Sequence, residues 1–190
     1  MYHVTEHDCS RATQTLVSAF MDYELFTAIA PAASTRQTLL EYTFQYMLDP
    51  SIQHITASSP DLEGVAVWYE PGKPFDHIED IPGNLPGIAE LNAFLFFTTA
   101  FIKHHIREPV WYLSAVGVSA DKQQQGIGSR LLQEQLEIID KTYGTPCVLD
   151  TQRPVDCKVY ERLGFRVMEY THTPGGLAPY YLMVRPAQGQ

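Results

Sequence analysis

The stretch from Val110 to Ser129 most constrains what this chain can fold into. It opens with an apolar run, Val110-Trp111-Tyr112-Leu113-Ser114-Ala115-Val116-Gly117-Val118. A polar turn follows, Ser119-Ala120-Asp121-Lys122, and then Gln123-Gln124-Gln125-Gly126-Ile127-Gly128-Ser129. Leu132, Leu136 and Ile139 then fall on one helical face. The order is strand, glycine loop, helix. Such a loop gathers backbone N–H groups at the positive end of a helix dipole, an anion site suited to phosphate or pyrophosphate. Gly126 and Gly128 let the backbone approach a ligand closely. Alone, these residues read equally well as a plain turn opening a helix. There is no Gly-Lys-Ser/Thr, so this is not a P-loop, and Leu131 stands where a dinucleotide fingerprint needs its third glycine.

The next segments add a second pattern. Cys147-Val148-Leu149-Asp150-Thr151 reads as a strand, and a helix then ends in Tyr160-Glu161-Arg162-Leu163-Gly164-Phe165. The strand, Gln-x-x-Gly-x-Gly, helix order and the Tyr-x-x-x-Gly-Phe ending together resemble the GNAT N-acetyltransferase superfamily. The residues around Trp111–Ser119, Leu149-Asp150-Thr151 and Tyr160–Phe165 are most similar to the puromycin N-acetyltransferase-like group. That resemblance covers roughly residues 105–170, and before it is architectural apart from Ala66-Val67-Trp68.

Composition bounds the alternatives. A chain of 190 residues suits one domain, 1–190, with its acetyl-CoA motif at about 110–165. The net charge of -9 argues against nucleic acid, and would attract a cationic amine. Three cysteines without a Cys-x-x-Cys pair suggest free thiols in a reducing compartment. The polar N-terminus is not a signal peptide, and Ile88–Ile102 is too short to span a bilayer, so the expected setting is cytoplasmic without membrane contact. A loose His3, His7 and Cys9 spacing reads as ordinary strand and helix, and no metal is expected.

Along the chain, residues 2–5 suggest a strand, and Asp8 or Ser10 caps a helix through about Met21. Asp22 to Ala33 reads as a loop with a short helical piece, and Ser34-Thr35-Arg36-Gln37 as a capping box for a helix to Leu48. Gln53–Ser58 and Leu62–Tyr69 form an antiparallel hairpin. Residues 71–87, rich in proline and glycine, read as a connection. Ile88–His105 is a helix apolar on nearly all sides, expected to be well buried. Strands at Arg166–Tyr170 and Pro179–Arg185 close the chain. The order implies an α/β (mixed α+β) architecture with helices on both faces of the sheet. The resemblance implies the GNAT-like acyl-CoA N-acyltransferase fold, with a central mixed, mostly antiparallel sheet of six to seven strands.

The resemblance also implies roles. Strands 110–118 and 146–151 would splay, with the pantetheine arm of acetyl-CoA pairing to backbone groups near Val116, Gly117 and Val118. The loop Gln123, Gln124, Gln125, Gly126, Ile127, Gly128 and Ser129 would cradle the pyrophosphate. Asp156 stands where the superfamily often has an asparagine that bonds CoA, a contact a carboxylate cannot donate. Tyr160 would lie near the thioester sulfur and protonate the leaving thiolate; the competing reading is a buried aromatic. Asp150 would serve as general base, directly or through water, or alternatively cap the next helix or sit as a surface charge. Tyr23, Glu24, Phe26, Trp68, Tyr69 and Tyr112 are candidates for the acceptor pocket, as aromatics and acids suit an amine on an apolar body. The expected activity is direct acetyl transfer from acetyl-CoA to a small-molecule primary amine in a ternary complex. Rivals are acetylation of a protein N-terminus or lysine, and a non-catalytic acyl-CoA sensor. A homodimer is compatible with either.

Overall fold

The computed structural model describes residues 1–72 and 81–188. Seven strands form one sheet: β1 (Tyr2–His3), β2 (His54–Ala57), β3 (Gly64–Tyr69), β4 (Trp111–Val118), β5 (Cys147–Thr151), β6 (Arg166–His172) and β7 (Pro179–Arg185). Their order is β1-β2-β3-β4-β5-β7-β6, and only β4 and β5 run parallel. The helices are α1 (Cys9–Phe20), α2 (Glu24–Ile29), α3 (Ala33–Met47), α4 (Ile88–His105), α5 (Ile127–Thr142) and α6 (Pro154–Arg162).

Strand alternation sorts side chains onto two faces. Val65, Val67, Tyr69 and Tyr112 join the core beneath α1 to α4. Ala66, Trp68, Trp111 and Leu113 join the core beneath α5 and α6. α5 supplies Leu131, Leu132, Leu136 and Ile139 to that second core, at spacings that line one helical face. Each such aliphatic side chain contributes about 1.5–3 kcal/mol on burial. α1 lies so close to β4 that a Cβ on Gly117 would stand 2.7 Å from the Cβ of Ala19. Glycine at this position is therefore a packing requirement.

Several local expectations are corrected. α3 starts from Ala32 with no side-chain cap, so the capping box at Ser34 does not form. Asp8 does not cap α1; its carboxylate accepts from the backbone and hydroxyl of Thr5 at 3.0 and 2.7 Å. α4 is not buried all round. Leu91, Phe94, Leu95, Thr98 and Ile102 face inward, while Phe96 is 75% exposed. The proline-rich connection is described only at its ends, and most of it lies outside the described residues.

Candidate active site

β4 and β5 pair over three positions only: Trp111 with Cys147, Tyr112 with Val148, and Leu113 with Leu149. The cause lies on the other side of β4. There Val67 pairs with Ala115 but Trp68 with Leu113, so Ser114 is a bulge. A bulge sharpens strand twist and turns the strand away from its neighbour. Residues 115–118 stay paired to β3 and leave β5, opening a wedge between the two parallel strands.

The glycine loop closes the wide end of that wedge. Gln124 and Gly126 both take the left-handed conformation, at φ 62° and 75°. The first intrahelical bond of α5 runs from the N–H of Arg130 to the carbonyl of Gly126 at 3.0 Å. The N–H groups of Ile127, Gly128 and Ser129 thus lie before the helical ladder begins, and no side chain caps this end. A Cβ on Gly126 would meet no protein atom within 4 Å, so that face of the loop is open. The side-chain amide of Gln123 donates to the carbonyl of Val118 at 3.1 Å, which braces loop to strand and occupies that acceptor. Unpaired strand edge, free N–H groups and an open glycine face fit the pantetheine and pyrophosphate of a CoA ester.

A cavity of about 480 Å³ runs from this loop through the wedge. On the α5–α6 side its wall includes Leu132, Val159 and Tyr160. On the other side it reaches Phe20, Tyr23, Phe26, Phe44, Met47, Leu91, Phe94 and Leu95. The cavity therefore crosses the sheet where two of its strands part.

Asp150 lies on this wall near the end of β5. Tyr112 donates its hydroxyl to one carboxylate oxygen at 2.9 Å, and the amide of Gln152 donates to the other at 2.8 Å. It does not cap α6, which starts from Arg153 without a side-chain cap. Burial pushes its pKa up to about 6, against the lowering effect of those two donors. The network continues outward. Tyr23 donates to the Gln152 side-chain carbonyl at 3.2 Å and accepts from the Gln152 backbone at 3.0 Å.

Tyr160 is oriented by the way α6 ends. Gly164, at φ 89°, allows Phe165 N–H to bond the Tyr160 carbonyl at 3.1 Å and Gly164 N–H to bond the Glu161 carbonyl at 3.0 Å. This Schellman closure gives the Tyr-x-x-x-Gly-Phe spacing a physical reason. Phe165 packs edge-on against Tyr160, with ring centroids 6.1 Å apart. Burial first, and then the carboxylate of Asp156, raise the Tyr160 pKa above that of an ordinary phenol. Asp156 is half-buried in the same wall, its own pKa raised by burial against the lowering effect of Arg153, 4.0 Å away.

The cavity brings together Val116, Gly117, Val118, Gln123, Gln124, Gly126, Ile127, Gly128, Ser129, Asp150, Asp156, Tyr160, Tyr23, Phe26 and Tyr112. Four sequence candidates are not on its wall. Gln125 is exposed. Glu24 sits in the exposed first turn of α2 and pairs with Arg153 at 3.0 Å. Trp68 is fully buried on the α5 face, edge-on to Trp111 at 6.4 Å. Tyr69 is buried behind Tyr112, stacked on it at 6.1 Å, and accepts from Gln53 at 2.8 Å. Sequence reasoning missed Gln152, two residues after Asp150 at a spacing that could have suggested it. It also missed Phe20, Phe44 and the inner face of α4, which no local pattern marks.

Residues 88–167 match the acetyltransferase (GNAT) domain family. The chain is 24% identical over 201 residues to an uncharacterised N-acetyltransferase of Schizosaccharomyces pombe, covering 96% of this chain and 81% of that protein. A structure described as histone acetyltransferase HPA2 and related acetyltransferase, from Corynebacterium glutamicum, matches with TM-score 0.63 and 21% identity, over 100% of this chain and 99% of that one. A putative arylalkylamine N-acetyltransferase 7 from the mosquito Aedes aegypti matches with TM-score 0.68 and 11% identity, over 98% and 86%. The architecture is the GNAT fold.

Proposed function

We propose that this chain, a GNAT-fold N-acetyltransferase, transfers an acetyl group from acetyl-CoA to a small-molecule primary amine by direct attack in a ternary complex. The observation that carries this reading is the cavity that crosses the sheet, continuous from the glycine loop to a pocket among α1 to α4, with Asp150 and Tyr160 on its wall. Acetyl-CoA supplies the activated acetyl group as a thioester. The N–H groups of Ile127, Gly128 and Ser129 hold its pyrophosphate, and the freed edge of β4 positions its arm and polarises the thioester carbonyl. The amine sits beside Asp150, which takes the proton lost from nitrogen as the new C–N bond forms. As the C–S bond breaks, Tyr160 donates a hydrogen bond and then its proton to sulfur. Its raised pKa keeps that proton in place at working pH.

The reading keeps the puromycin N-acetyltransferase-like group as the nearer comparison on its sequence resemblance at Trp111–Ser119, Leu149-Asp150-Thr151 and Tyr160–Phe165. The free thiols of Cys9, Cys147 and Cys157 suit a reducing cytoplasm. Thiol release is the test: turnover should require acetyl-CoA and a primary amine together, and binding of acetyl-CoA without amine-dependent release would leave a sensor instead.

A further inference from the structure

The acceptor half of the cavity differs in chemistry from the rest of its wall. It is built by Phe20 of α1, Phe26 of α2, Phe44 and Met47 of α3, and Leu91 and Leu95 of α4. Among the described residues, no charged side chain lies on this part of the wall; the charged ones, Lys122, Asp150, Arg153 and Asp156, belong to the loop and to β5–α6. Its polar side chains are neutral hydroxyls, those of Thr43, Thr98 and Tyr23, and two of them are engaged. Thr43 donates to the Leu39 carbonyl at 2.6 Å, and Tyr23 is held by Gln152.

We infer that the acceptor is a lipophilic monoamine, one reactive nitrogen on an uncharged apolar tail, and that diamines and amino acids are excluded. This rests on the proposed amine acetylation and sharpens it. With the amine beside Asp150, the tail lies among α1 to α4. Each methylene buried there gains about fourfold in binding. A second ammonium or a carboxylate on that tail would be desolvated without a partner, which disfavours it far more strongly than one methylene helps.

The test compares hexylamine, 1,6-diaminohexane and 6-aminohexanoate as acceptors with acetyl-CoA. Hexylamine should exceed both charged-tail amines by ~10²-fold in kcat/KM. Met47 is half-buried in the last turn of α3, so Met47→Glu puts a carboxylate on the wall with part of the side chain still in water, and its fold is checked by circular dichroism. That variant should raise 1,6-diaminohexane relative to hexylamine at least about tenfold. A charged-tail amine within tenfold of hexylamine in the wild type overturns the inference and leaves amine acetylation standing. A wild-type preference that Met47→Glu does not alter puts the tail elsewhere and also overturns it. Acetyl-CoA binding without turnover of any of the three overturns amine acetylation and this inference together.

Discussion

In the proposed mechanism, two side chains on the wall of one cavity divide the proton work. Asp150 has a pKa raised to about 6 by burial, so below that value it is protonated and cannot accept the proton of the attacking amine. Activity should therefore rise as pH climbs through about 6 and continue upward until the acceptor's own ammonium has titrated. Asp150→Asn should remove the break near 6 and lower kcat by about 10²-fold, read from kcat against pH. A break that persists in the variant would belong to another group. Tyr160→Phe removes a proton donor and leaves the ring packed on Phe165. It should lower kcat by roughly 10²-fold with little change in CoA affinity, measured by steady-state kinetics and calorimetry. Both residues were candidates from the sequence because of the resemblance: Asp150 stands near the end of a strand, and Tyr160 opens the Tyr-x-x-x-Gly-Phe pattern. Gln152 was within reach but carried no motif. Trp68 and Tyr69 carry a clearer lesson: they lie on β3, and β4 stands between β3 and the gap at β5, so neither residue reaches the cavity wall. The pleat sends Trp68 to the α5 core, and Tyr112 covers Tyr69.

At the scale of elements, the glycine loop and the parting of β4 from β5 form one device. The loop presents N–H groups only because Gln124 and Gly126 accept positive φ, and α5 begins uncapped behind them. Gly126→Val would add a branched side chain at φ 75°, where no protein atom lies within 4 Å and a ligand would. CoA affinity should fall at least about tenfold by calorimetry while the protein stays folded; equal affinities would remove the loop from the binding site. The strands, α4 and α5 were readable from periodicity and from glycine placement. The Ser114 bulge was not, because it is a mismatch in pairing between β3 and β4 and leaves no mark in either strand alone. The capping box at Ser34 failed for a related reason: α3 begins one residue before it, at Ala33, and Arg36 from the supposed box is spent on the carbonyls of Met21, Ala30 and Pro31.

Across the whole molecule, two helical layers meet a sheet with a slot in it. α5 and α6 cover one face, the donor side in the proposed mechanism, and α1 to α4 cover the other. The proposed acceptor pocket is a product of long-range packing among four helices, which is why, of the candidates from this segment, Tyr23 and Phe26 line the cavity while Glu24 is exposed and paired with Arg153. The central claim is that donor and acceptor meet in one cavity and react directly. It is tested most directly by initial rates of thiol release over a matrix of acetyl-CoA and hexylamine concentrations. The account predicts intersecting double-reciprocal lines, with no thiol released when amine is omitted. Parallel lines, or a burst of thiol from acetyl-CoA alone, would mean that the acetyl group passes through the enzyme first and would contradict it.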